Sequence, residues 1–348
     1  MLDTFIERIR AAHESHVPLI IQGGGSKTFY GSADEGEVLS TRRLTGVVDY
    51  EPKELVLTAR AGTPLAEIEA LLAERNQMLA FEPPSFGGPA TLGGCIAAGL
   101  SGPRRPYAGA ARDFVLGVRM IDGTGQPLRF GGQVIKNVAG YDVSRLMVGA
   151  LGTLGLITEV SLKVLPKPAA ELSLQFELDE ADAIRKMNEW AGQPLPLSAT
   201  SWHAGVLTLR LSGATSAVRA AQAKLGGEPL QDADAFWQRL RDQTTPFFDK
   251  RPLWRLAVRP TTSPLDLGDA QWIEWGGAVH WLASDLPAAT LREAASAAGG
   301  HATLFRGNAP ADGAFAPLSP ALATLHRALK QRFDPRGILN RGRLYPDF

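Results

Sequence analysis

The sequence has almost no cysteine: Cys95 stands alone among 348 residues. A lone thiol excludes an internal disulfide, a cysteine-built zinc site and a self-contained iron–sulfur cluster. Net charge is also missing, because 36 basic residues balance 36 acidic ones. That balance argues against a nucleic-acid groove and against a polybasic membrane anchor, both of which need local positive excess. No hydrophobic run approaches the roughly 18 apolar residues of a membrane span. The first 17 residues carry Glu7, Arg8, Arg10 and Glu14, so they contain no apolar signal core. Internal repeats and low-complexity tracts are absent too. The expectation is a cytoplasmic protein that binds no nucleic acid and is held at a membrane, if at all, by a partner.

Glycine is what the chain has in excess, 37 residues against an average near 7%. It clusters in Gly23–Gly25, Gly87–Gly109, Gly131–Gly132 and Gly149–Gly155, all in the first half. Between these clusters lie apolar runs of strand length: Leu19–Ile21, Leu55–Ala59, Phe114–Ile121 and Leu156–Val164. Asp122-Gly123 with Gly125 predicts a hairpin into Leu128–Phe130. Thr4 with Glu7 reads as a capping box before Phe5, Ile6 and Ile9. Thr63-Pro64 reads as a cap and first-turn proline before Leu65, Ile68, Leu71 and Leu72.

Pro166-Lys167-Pro168 closes this glycine-rich region. Beyond it, Leu172–Leu178, Val206–Leu211, Trp254–Val258, Trp272–Trp275 and Val279–Leu282 read as strands. Helices fall after Asp179, over Ala217–Leu225 and over Leu291–Ala298. Ser319-Pro320 caps a last helix whose stripe is Leu322, Leu325, Leu329 and Phe333. The expected organisation is α+β throughout: residues 1–167, a smaller α+β unit over 168–308, and a helix and tail over 309–348.

Two familiar phosphate loops fail on Gly23-Gly24-Gly25-Ser26-Lys27-Thr28. A Walker loop needs glycine before the lysine, and Ser26 stands there; G-x-G-x-x-G fails at Thr28. Three glycines still let backbone N–H groups approach an anion, and a bare turn is the competing reading. In the second cluster, Thr91 to Gly102, nearly every residue from Gly93 onward is small. Such a stretch can lie flat against a large planar ligand, or simply pack a helix start tightly. A third cluster runs Lys136-Asn137-Val138-Ala139-Gly140-Tyr141-Asp142 and then Gly149 to Thr158.

Taken in order, these clusters resemble the FAD-binding fold of the vanillyl-alcohol oxidase and para-cresol methylhydroxylase (PCMH) superfamily. The Lys136–Asp142 run, the chain length and the tail Phe333–Asn340 look most like the FAD-binding subunits of bacterial glycolate oxidases. The resemblance covers essentially the whole chain and implies a two-subdomain PCMH-type fold with a ferredoxin-like cap. It assigns Gly23, Gly24, Gly25 and Ser26 to the FAD pyrophosphate. Thr91, Gly93, Gly94, Ala98 and Gly102 would wrap the pyrophosphate and ribityl chain. Gly155 and Ile157 would meet the adenine end, while Lys136, Asn137, Tyr141 and Asp142 would lie toward the isoalloxazine, with Asn340 returning from the tail.

Departures from the pattern refine this expectation. No histidine stands in or beside the first loop, so the FAD should be non-covalent, and Cys95 reads as a packed thiol. The histidine-rich metal motif of related 2-hydroxy-acid dehydrogenases is missing; His203, His280 and His301 lack paired spacing, and no metal site is expected. Arg255 sits where a family arginine clamps a substrate carboxylate, or is a plain strand arginine. His280 could take a hydroxyl proton, although a lone strand histidine is more often structural. Trp272, Trp275 and Trp281 read as core. Lys136 or Arg341 would supply a cation near the reduced flavin. The implied activity is oxidation of a small 2-hydroxy acid, glycolate, to the 2-oxo acid, with a second FAD subunit and an iron–sulfur subunit as partners. The alternative is a subunit that holds FAD as an electron relay or scaffold while its sister oxidises the substrate.

Overall fold

The computed structural model describes residues 1–32, 35–132, 142–268 and 270–348. The first half runs α1 (Leu2–Ser15), β1 (Leu19–Gln22), β2 (Glu37–Ser40), β3 (Val47–Glu51), β4 (Val56–Arg60), α2 (Leu65–Ala73) and β5 (Gln77–Met78). It continues through α3 (Leu92–Ala98), α4 (Arg105–Ala108), α5 (Ala111–Phe114), β6 (Val115–Ile121), β7 (Pro127–Gly131), α6 (Val143–Leu146), β8 (Leu156–Lys163) and β9 (Leu165–Pro166). β1 and β2 pair in parallel. A five-stranded antiparallel sheet has the order β3-β4-β8-β6-β7. The Asp122 turn forms as expected, since the Asp122 carboxylate accepts the Thr124 and Gln126 amides at 2.9 Å each. Leu57, Val118, Val160 and Leu162 of this sheet pack with Ile68 and Leu72 of α2 and Ile96 of α3.

The second half runs β10 (Ala170–Glu177), α7 (Glu180–Ala191), β11 (Leu197–His203), β12 (Val206–Gly213), α8 (Thr215–Leu225) and β13 (Glu228–Pro229). α9 (Ala233–Asp242) then leads to β14 (Leu253–Ala257), β15 (Gln271–Glu274), β16 (Val279–Ala283), α10 (Ala288–Ala297) and β17 (His301–Arg306), with α11 (Pro320–Phe333) in the tail. One antiparallel sheet of eight strands results, ordered β13-β10-β12-β11-β15-β16-β14-β17. Its first four strands have the ferredoxin-like order 4-1-3-2. Its last four have the same order run backwards, and the two units join edge to edge where β11 pairs with β15. The sequence shows no such repeat, because what is duplicated is strand order rather than residues. The second unit has no helix between its first two strands among the described residues.

Local expectations shift in four places. α1 starts at Leu2 with Met1 as its cap, so Thr4 lies inside the first turn and forms no capping box. Pro64 caps α2 while the Thr63 hydroxyl is occupied with Gly46, whose amide lies 3.0 Å away. On α11 the expected apolar stripe is largely exposed, with Leu322 and Leu325 about half open, and the buried residue is Lys330. Its ammonium donates to Thr153 O, Asp334 Oδ2 and Leu339 O at 2.7–2.9 Å, which fastens the tail to the first half. β15 ends at Glu274, so Trp275 leaves the strand and enters a turn with φ of 56°.

Candidate functional site

Two adjoining hollows gather most of the expected residues. The first is a groove formed by the Gly23–Thr28 loop after β1, one side of α3, Leu151, Asn340 and Arg343. None of the amides of Gly24, Gly25, Ser26 and Lys27 donates to a described residue. A run of unpaired N–H groups in a fold is a place where an acceptor is missing. Lys27 adds a half-buried cation with no carboxylate within ion-pair distance among the described residues; its ammonium meets the Ser26 hydroxyl at 3.2 Å and the Phe86 ring at 5.5 Å. Burial lowers the Lys27 pKa, against the opposing pull of Cys95 and Asp242. Lys27 is a functional candidate that the sequence reading quoted only to test the Walker pattern.

The loop is glycine for reasons beyond phosphate access. A Cβ on Gly24 would lie 1.4 Å from Pro89 O, and one on Gly23 would lie 2.3 Å from Thr91 Oγ1. The tail completes the loop from behind: Asn340 accepts the Ile21 amide at 2.6 Å and donates to Leu151 O at 2.5 Å. With both ends of its amide committed, Asn340 holds the groove in shape. Arg343 pins the same loop through the carbonyls of Lys27, Thr28 and Tyr30.

The second cluster contributes shape instead of donors. Thr91 caps α3 by accepting the Gly94 amide at 3.4 Å. The amides of Leu92 and Gly93 are spent on Thr63 O and Ala61 O. Gly93 faces Ala61, whose Cβ would lie 2.7 Å from an added Cβ, whereas Gly94, Ala97 and Ala98 face the groove. Cys95 is buried in the core beside them, and burial pushes its thiol up to about 11, which keeps it protonated. Gly155 packs under Met120 and Ile121, and Ile157 is core, so neither lines either of these two hollows. Asp142 caps α6 and pairs with Arg145 at 2.9 Å. Lys136, Asn137 and Tyr141 lie outside the described residues.

The second hollow begins where the groove ends, at Ala98, and is roofed by the second ferredoxin-like unit. Its floor includes the run Ala98–Pro103, and its roof carries Arg255, Glu274, Trp275 and Trp281. Strand parity explains this set. Arg255 pairs with Trp281, Trp281 with Trp272, and Glu274 with Val279, so all five side chains share one face. The Arg255 guanidinium lies 4.8 Å and 5.7 Å from the Trp275 and Trp281 ring centres, and makes no hydrogen bond or ion pair with a described residue. Burial, with Arg105 nearby, lowers the Arg255 pKa. Arg105 reaches Trp275 from α4 at 4.5 Å.

Trp275 is cavity lining, not the core residue expected. Its indole donates to Gly102 O at 3.2 Å, tying the roof to the floor. Gly276 and Gly277 continue its positive φ, and Asn188 and Thr200 hold the turn through Gly276. Backbone held in that region must be over-determined by its surroundings, as here.

His280 falls on the other face. It pairs with Leu256 and Ile273, one register step from Trp281, and is completely buried. Its ring nitrogens lie 2.8 Å from Gln271 Oε1 and 3.1 Å from Gly277 O, and burial lowers its pKa to about 4. The geometry gives it no access to the cavity. Arg341 is also away from the site: it is exposed and donates to Gly337 O. Among the described residues no three His, Cys, Asp or Glu side chains gather as metal ligands.

A groove whose loop amides have no partner among the described residues, opening into a cavity with a small-residue floor beneath the second sheet unit, is the arrangement of a PCMH-type FAD-binding protein. The FAD binding domain family matches residues 2–131. Para-cresol methylhydroxylase with substrate bound superposes with a TM-score of 0.69 at 16% identity, covering 100% of this chain and 88% of that one. An alkyldihydroxyacetonephosphate synthase gives 0.66 at 18%, covering 96% and 73%. The glycolate oxidase subunit GlcE of Escherichia coli is 49% identical over 98% of this chain and 97% of its own length. The GlcD subunit of Bacillus subtilis glycolate oxidase is 32% identical over 49% of this chain and 36% of its own. A D-lactate dehydrogenase of Archaeoglobus fulgidus is 31% identical over 55% and 43%. The chain belongs to the family of the glycolate oxidase subunit GlcE, among the FAD-dependent oxidoreductases.

Proposed function

We propose that this chain binds one FAD non-covalently and, within a glycolate-oxidising complex, oxidises a small 2-hydroxy acid to the 2-oxo acid. In this reading the pyrophosphate accepts from the Gly24–Lys27 amides and from Lys27. The Ala98–Gly102 surface supports the isoalloxazine, and Asn340 and Thr91 position the groove. Bound there, the flavin would supply a two-electron hydride acceptor. The units proposed are 1–167 for FAD, 168–308 as cap and 309–348 as the closing tail. A second flavin subunit and an iron–sulfur subunit would take the electrons, since a chain with one cysteine cannot ligate a four-cysteine cluster.

Arg255 is the observation that carries the catalytic reading over the relay. A half-buried guanidinium that ion-pairs with no described carboxylate is costly beneath a sheet, and it is sensible where a ligand carboxylate completes it. The test is the absorbance of the purified, flavin-loaded chain before and after anaerobic glycolate. Bleaching in a single turnover supports the catalytic reading. A flavin that glycolate leaves oxidised while the sister subunit's bleaches supports the relay. Acid precipitation should release the yellow colour into the supernatant; colour retained by the pellet would refute non-covalent binding.

A further inference from the structure

We infer that Glu274 is the proton acceptor of the cavity, receiving the hydroxyl proton of a 2-hydroxy carboxylate whose carboxylate is held by Arg255. This rests on the catalytic reading above and extends it to a residue that the sequence did not single out. Glu274 ends β15 on the cavity face, beside the Arg255–Trp281 pair. It is only 5% exposed and has no ion-pair partner among the described residues. One oxygen is fixed by the Trp281 indole N–H at 2.8 Å, which leaves the other free to accept. The turn that follows places Trp275 against the floor, so the carboxylate is held by elements anchored on both sides.

Elimination strengthens the assignment. The other ionisable groups among the described lining residues are arginines and Tyr30. Arginines carry no proton-accepting form, and burial raises the Tyr30 phenol, keeping it protonated. The one histidine expected to serve, His280, lies on the opposite sheet face.

The groups facing Glu274 define its proton affinity. Burial dominates and raises it, the Trp281 N–H and Arg255 oppose the rise, and Glu82 adds to it, leaving a value of about 7. Ser201, opposite in register on β11, is occupied as acceptor of the Trp272 indole. A base with that affinity is suited to work near neutral pH. In the step itself, the substrate O–H bond breaks and its proton passes to the Glu274 carboxylate. The C–H bond on the same carbon breaks with its electron pair, which passes as hydride to the flavin, and the C–O bond becomes the carbonyl. Substrate loses two electrons and FAD gains them.

The experiment compares wild type, Glu274→Gln and Glu274→Asp as flavin-loaded protein with its co-purifying subunits. Anaerobic glycolate reduction in wild type should accelerate with pH through about 7. Glu274→Gln should keep its flavin, bleach about 10²–10⁴-fold more slowly and lose that pH rise; Glu274→Asp should fall between and keep it. A second readout needs no turnover. Oxalate, titrated calorimetrically near pH 7.5 in buffers of different ionisation heat, should draw a proton onto the wild-type protein and none onto Glu274→Gln. Wild-type flavin that neither responds to glycolate nor shows oxalate binding overturns the catalytic reading and this inference with it. Glu274→Gln that bleaches at the wild-type rate with the same pH profile, or takes up the same proton, overturns the role of Glu274 alone.

Discussion

The two ferredoxin-like units put buried charge on the same face of one sheet, with opposite outcomes. On the first unit, Arg210 of β12 meets Glu82 at 2.9 Å, and Arg104 bonds both Glu82 and Glu171. Burial would raise Glu171, yet Arg104, Ser212 and Arg210 together hold it below the usual carboxylate range. On the second unit, Arg255 and Glu274 stand close without an ion pair among the described residues, and Arg105 approaches them from α4. Register carries Arg210 through Ala199 and Ser201 to Glu274, so the contrast does not come from sheet geometry. It comes from what covers each unit. The first is closed by α9, whose Trp237 packs on Arg210 and donates to Ser173, and by the segment around Glu82. The second is left facing the small-residue floor. Paired buried charge joins the two halves of the chain; the unpaired charge of the second unit is where the proposed substrate carboxylate would sit.

Breaking the paired cluster should have the largest effect. Glu82→Ala strands Arg210 in the interior, leaves Arg104 with Glu171 alone, and should cost about 3–5 kcal/mol in chemical denaturation. Arg255→Met removes an unpaired charge, so its cost in the ligand-free protein should stay within about 1 kcal/mol. Equal losses in the two variants would erase the distinction.

Next in size, Arg255→Met should weaken glycolate or oxalate binding by on the order of a hundredfold, the scale of a lost charge-assisted pair. Flavin content should not change. A normal oxalate titration would return Arg255 to a structural role.

The smallest effect sharpens the contrast between the two faces of β15 and β16. Glu274 is raised from 4.5 to about 7 on folding, so its contribution is full below 4.5 and lost as pH rises through 7. His280 is lowered from 6.5 to about 4, so its contribution is present above 6.5 and lost as pH falls toward 4. Between 4.5 and 6.5 the two slopes oppose. Glu274→Gln should therefore gain stability relative to wild type as pH rises through that window, and His280→Asn should lose it, each by on the order of 1–2 kcal/mol. Denaturation curves across pH that stay parallel to wild type would contradict both assignments.

Much of the scaffold was legible because it follows local rules. The strands at Leu19, Val56, Val115 and Leu156 and the Asp122 hairpin rest on apolar runs and turn chemistry. Asp179 caps α7 as read, accepting the Asp182 amide at 2.8 Å. The glycine loops announced the groove for the same reason, since a backbone that must approach a ligand cannot carry side chains there. What escaped depends on pairing between distant strands. His280 and Trp281 are neighbours in sequence, and only the register with β14 says which one faces the cavity. Glu274 carries no signal in the sequence, and only the sheet buries it next to Arg255. The duplicated topology left no trace because different residues build the two units.

Asn340 has one further consequence, for the order in which the protein matures. The groove loop follows a strand whose Ile21 amide is capped by a side chain 319 residues later. At ordinary synthesis rates the loop is made tens of seconds before the residue that fixes it. The two large sheets can be assembled from chain already translated, whereas the Gly23–Thr28 groove is fixed only afterwards. In the proposed reading flavin loading waits for Asn340, and a chain cut before it should emerge folded in its sheets and colourless.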